Sequence, residues 1–67
     1  MPVHLTPDEL AGLFGVEPHV VLNAAREVGV PIYDGRIDSV LFSQAVIAAG
    51  HHLSGRAREV LEAEGGR

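Results

Sequence analysis

His19, Asn23 and Arg26 are spaced so that on a helix they share one stripe, with Glu27 beside them. The chemistry such a stripe offers is base recognition. An asparagine amide can bridge an adenine edge and an arginine guanidinium a guanine edge, each through paired hydrogen bonds. The competing reading is a solvated helix face, which any surface helix carries. Arg36 offers a phosphate contact; against that, Asp34 and Asp38 flank it so closely that pairing with one of them is the preferred reading.

Other chemistries find less support. The histidines His51 and His52, with His4 and His19, are the candidate metal ligands, but adjacent histidines diverge on a helix and no cysteine joins them. Their bland reading is a pair of helix-end side chains near the negative end of a dipole. The Asp and Glu residues form no close pair suited to proton transfer. Ser39, Ser43 and Ser54 have no activating neighbour and read as caps or surface residues. There is no glycine loop for phosphate, and 67 residues leave little room for a pocket. The expectation is therefore no enzyme, no metal, no cofactor and no small-molecule substrate.

Composition narrows the partners. Nine acidic residues oppose five arginines, with no lysine, for a formal charge of -4. Non-specific nucleic-acid binding depends on clustered cations, so any DNA contact must be local. Arginine as the only cation, among much Ala, Val and Gly, is the composition of a GC-rich genome. Hydrophobic residues make up 46% of the chain, too many for a disordered tail. With only Phe14, Tyr33 and Phe42 as aromatics, the core must be mostly aliphatic. Met1–Leu5 does not read as a secretory leader, and no apolar run reaches membrane-spanning length. A cytoplasmic protein without a membrane partner is expected.

The elements that must position these residues can be read in order. Met1–Leu5 is extended, and Val3 and Leu5 can pair with a neighbouring strand or pack on the core. Thr6-Pro7-Asp8-Glu9 carries a capping box with proline at the first helical position, and predicts a helix over Pro7–Phe14. Leu10, Leu13 and Phe14 form its apolar face, Gly12 permits a close helix approach, and Gly15 ends it. Val16 plugs the turn. A second helix runs Pro18–Val28 behind Glu17, a poor cap, and stops at Gly29. Its apolar side is Val20, Val21, Ala24, Ala25 and Val28.

Val30–Tyr33 is extended, with Pro31 favouring an edge. Asp34-Gly35 is a two-residue hairpin turn, and Arg36-Ile37 returns, so a very short β-hairpin is expected. Asp38 then caps a third helix whose face is Phe42, Ala45, Val46, Ala49 and Leu53. The alternative runs the strand on to Phe42 and caps at Ser43; alternation fails across Ile37–Phe42, so the start at Asp38 is preferred. Ser54 caps a last helix through Ala57, Val60, Leu61 and Glu64, and Gly65-Gly66-Arg67 frays. No internal repeat or linker is visible. One domain is expected, with its core over 5–53 and a C-terminal helix over 54–64.

This order of elements resembles the winged helix-turn-helix of phage excisionases and the MerR-type DNA-binding domain. The residues carrying the resemblance are Leu5–Ala11, Leu13–Val16, Gly29–Ile32, Gly35–Ile37 and Phe42. It covers roughly Leu5 to Ala49. It implies a mostly α fold with a minimal β-hairpin wing, a second helix in the major groove, and a wing touching backbone or minor groove. The implied groove face is Pro18, His19, Val20, Leu22, Asn23 and Arg26; the implied wing is Tyr33 to Arg36. The chain departs from the family at Glu17-Pro18-His19, where Ser, Thr and Arg or Lys are usual. Leu10-Ala11, Gly15-Val16 and Gly29-Val30 are also similar to the small N-terminal domains of bacterial translation initiation factor two, over less of the chain.

The functional expectation is a small DNA-binding regulator that acts as several copies, using His19, Asn23, Arg26 and Arg36. The alternative is an acidic module on the same fold that binds a protein or itself. Leu22, Val40, Leu41, Ile47 and Val60 exceed what one small core needs, and Leu22, Val40 and Ile47 are its expected partner-binding residues.

Overall fold

The computed structural model describes residues 4–65. The readings placed on Met1–Val3 and on Gly66-Arg67 lie outside the described residues. Four helices and one two-stranded antiparallel pairing are ordered β1 (His4–Leu5), α1 (Pro7–Phe14), α2 (Pro18–Val28), β2 (Ile37–Asp38), α3 (Ser39–Ala48) and α4 (Ser54–Gly65). The fold is small and mostly helical.

Local chemistry sets the ends of α1 and α2. The Glu9 amide donates to Thr6 Oγ1 at 3.2 Å, and the Thr6 amide donates to Glu9 Oε1 at 2.9 Å, so the capping box is closed in both directions. Pro18 opens α2 with no side-chain cap from Glu17. Gly15 and Gly29 adopt left-handed φ of 68° and 77°, which a side chain would strain. The Val16 amide then donates to the Ala11 carbonyl at 3.1 Å, and the Val30 amide to the Ala25 carbonyl at 2.8 Å. These are the longer bonds of a Schellman stop, in which an apolar residue after the glycine folds back onto the helix. Val30 is buried and Val16 packs against the core.

Asp34 and Gly35 both have positive φ, 52° and 70°, the signature of a type I′ turn. The expected hairpin stops there. Tyr33 and Arg36 exchange two backbone hydrogen bonds, of 2.9 and 2.8 Å, and form an isolated bridge. The return segment pairs with the chain's beginning instead: Leu5 lies opposite Ile37 and His4 opposite Asp38. Pro31 has no amide hydrogen for a ladder, while β1 offers Ile37 a partner and lets its side chain reach the core.

The core draws on every helix. Leu10, Val21, Ile37, Phe42 and Val46 are fully buried, and the Phe14 and Phe42 rings meet edge to face at 5.3 Å. Leu53, Ala57 and Val60 bring α4 onto the same cluster.

Several expectations are corrected. Leu13 is 40% exposed, because the buried arc of α1 runs through Leu10, Ala11 and Phe14 and leaves Leu13 on its flank. Gly12 is exposed and a Cβ there would meet nothing, so it mediates no close approach. The start of α3 is as expected, with Asp38 as its cap, Oδ1 accepting from the Val40 and Leu41 amides at 3.0 and 3.1 Å, but its inner face is not. The buried face is Ser39, Phe42, Ser43 and Val46, while Ala49 is exposed and Ala45 half-buried. Apolar residues fall all round α3, so their periodicity does not choose its inner face. Ser39 and Ser43 are thus neither caps nor surface residues. Ser54 is the first residue of α4.

Candidate nucleic-acid interface

The second helix has sharply divided faces. Val21, Ala24 and Ala25 are buried, and His19, Asn23 and Arg26 project opposite them, all exposed. The division follows from helical geometry: residues two or five positions from Val21 lie across the axis from it. The structure therefore brings these three candidates together on one open face. Arg26 is in the last turn of α2, where a cation complements the dipole. Among the described residues the ion pairs are His51 with Glu27 and Arg56 with Glu59, and neither engages the exposed Arg26 guanidinium.

Arg36 sits elsewhere. Its Nη1 donates to the His4 carbonyl at 3.5 Å. The backbone and then the side-chain hydrogen bonds of Thr6 hold the Glu9 carboxyl below its ordinary range, with a smaller contribution from the Arg36 charge. The expected pairing of Arg36 with Asp34 or Asp38 is not formed, because the Asp38 carboxylate turns inward to cap α3. Arg36 lies beside β1 and the start of α1, on the exposed turn that also carries Tyr33, 70% exposed.

The candidate partner residues do not share one environment. Leu22, Val40 and Ile47 are all half-buried, and Ile47 packs against the core. Leu41, 43% exposed, is the more open apolar side chain of α3. Val60 belongs to the core.

Two features escaped the sequence reading. Arg56 of α4 donates from Nε to the Leu13 carbonyl at 3.0 Å while its Nη1 holds Glu59 at 2.6 Å. Beside it Leu13, Val60 and Ala63 line a shallow groove. His51 is the other. It follows Gly50 at the end of α3, its amide bonded to the Val46 carbonyl at 3.0 Å, as Val16 and Val30 follow their glycines. Where those valines turn apolar side chains to the core, His51 turns an imidazole to Glu27 of α2, Nε2 to Oε1 2.8 Å. The adjacent His52 ring tilts against it at 4.3 Å. Among the described residues no cluster of three or more His, Asp or Glu is placed to hold a metal, and no helix is long and apolar enough to cross a membrane.

No family model, no curated protein and no solved structure matches the chain. The functional reading therefore rests on its own residues.

Proposed function

We propose that this chain is a small DNA-binding regulatory protein of winged helix-turn-helix type, excisionase-like or MerR-like. It reads DNA with the outer face of α2 and touches the backbone with the Tyr33–Arg36 turn. The observation that carries this reading is the exposed stripe of His19, Asn23 and Arg26 on the second of two helices joined by a tight glycine stop.

A helix of this kind fits the major groove, where Asn23 and Arg26 can each make paired contacts with a base edge. Glu17, at the start of α2, opposes phosphate and limits non-specific affinity. With a charge of -4, one copy binds weakly, and occupancy depends on several copies engaging one stretch of DNA.

The second reading keeps the fold and replaces DNA with a protein partner or a second copy. It is favoured by the acidic balance and by the exposed Leu41, with Leu22, Val40 and Ile47 partly open beside the core. Selection of duplex DNA from a random-sequence pool at low salt separates the two. Enrichment of a sequence motif supports DNA recognition; no retention of any duplex supports the protein-binding reading.

A further inference from the structure

We infer that His51 is a positioning residue for the outer face of α2, acting by pinning Glu27. The inference rests on the DNA-binding reading and extends it to residues outside the reading stripe.

Glu27 is the acid of that face, one turn beyond Asn23 and next to Arg26. A carboxylate free to swing there opposes any approaching phosphate. His51 holds it at 2.8 Å from the turn between α3 and α4. The imidazole is itself held. Its side chain is 11% exposed, and the Leu53 amide donates to Nδ1 at 3.2 Å. An amide N–H can only donate, so in this arrangement Nδ1 is the acceptor nitrogen and Nε2 carries the hydrogen that Glu27 receives. Both ring nitrogens are thus used, one to fix the ring and one to fix the carboxylate, drawing Glu27 to the flank of α2 facing the α3–α4 turn.

The position of His51 strengthens the case. The residue after a stop glycine is Val16 in one instance and Val30 in another, each packed on the core. The third such position carries a directional group aimed at another helix. A purely structural plug needs no imidazole there.

The test is a cycle of His51→Ala, Glu27→Gln and the double variant, titrated by fluorescence anisotropy against the duplex enriched by the wild-type protein. His51→Ala releases the acid and weakens binding about two- to fivefold, the scale of an exposed charge interaction. Glu27→Gln keeps the acceptor, removes the charge and binds at least as well as wild type. The double variant recovers the Glu27→Gln affinity, because no charge is left to pin. Circular dichroism at the titration temperature establishes that every variant is folded.

A double variant as weak as His51→Ala gives His51 a merely structural role and overturns the inference. So does a His51→Ala protein that binds like wild type. If the wild-type protein enriches no duplex, the DNA reading itself fails, and the inference with it.

Discussion

Arg56 of α4 reaches across to α1 and donates its Nε hydrogen to the Leu13 carbonyl at 3.0 Å. The last carbonyls of a helix have no partner within it, and they carry the negative end of its dipole. A guanidinium there satisfies an orphan acceptor and stitches the C-terminal helix to the first. Arg56→Ala is expected to cost about 0.5–1.5 kcal/mol, the net worth of one such hydrogen bond. Urea unfolding measures it. Glu59→Ala removes only the exposed partner of Arg56 and costs less.

Ser43 offers the opposite sign. Its side chain is fully buried and Oγ has no hydrogen-bond partner among the described residues. Leaving a hydroxyl unsatisfied costs about 1–3 kcal/mol. Ser43→Ala removes the hydroxyl and raises helix propensity, so it should raise the urea midpoint. A lower midpoint would mean that the hydroxyl is satisfied in solution. Phe42→Ala, on the same buried face, should cost about 3–5 kcal/mol. That is comparable with the whole stability of so small a domain, and the variant is expected to be largely unfolded.

The capping box carries a pH dependence whose direction is set by Glu9. Its carboxyl is held below the ordinary value of 4.5, first by the Thr6 backbone hydrogen bond. A folded-state value below the unfolded one means that this contribution is full above 4.5 and is lost as the pH falls through the lower folded value. Glu9→Gln removes the titrating carboxyl and should flatten this part of the acid-side loss. Thr6→Ala keeps the residue-6 amide that donates to Glu9 and should flatten it only in part, at a cost of about 1 kcal/mol at neutral pH. Thermal unfolding of wild type and both variants across that range provides the comparison.

Which residues could be read in advance follows a physical division. Thr6, Glu9, Gly15, Gly29, Asp34, Gly35 and Asp38 act on backbone within a few residues of themselves, so their types alone mark the ends of α1 and α2, the turn and the start of α3. The polar part of the outer face of α2, His19, Asn23 and Arg26, was legible for the same reason, whereas Val20 and Leu22, expected on that face too, are half-buried, with Val20 packed against the core. The pairing of Leu5 with Ile37, the contact of Arg56 with Leu13 and that of His51 with Glu27 join residues far apart in the chain. No local pattern encodes them. On the inner face of α3, Phe42 and Val46 were legible; Ser39 and Ser43 were not, because apolar residues fall on nearly every side of that helix and two small serines take the remaining buried positions.

The protein-binding alternative has its own variants. Ile47 packs on the core, so Ile47→Asp should unfold the domain and reveals nothing about partners. Leu41 is open and Val40 half-buried, so Leu41→Asp with Val40→Asp probes the surface with less damage inside. If this face is the interface, the double variant stays folded by circular dichroism and loses the association seen by light scattering. Unchanged association would remove the face from consideration.

The most direct test of the account is an anisotropy titration of the wild-type, Asn23→Ala and Arg26→Ala proteins against duplex DNA enriched from a random pool at low salt. Both side chains are exposed, so neither substitution should unfold the domain. The account predicts that wild type binds, that each variant loses about 1–3 kcal/mol on the enriched sequence, and that Arg26→Ala tolerates changes at the base it contacts. Binding unaffected by either substitution would move the interface away from α2. Failure of the wild-type protein to bind any duplex at low salt would contradict the account outright.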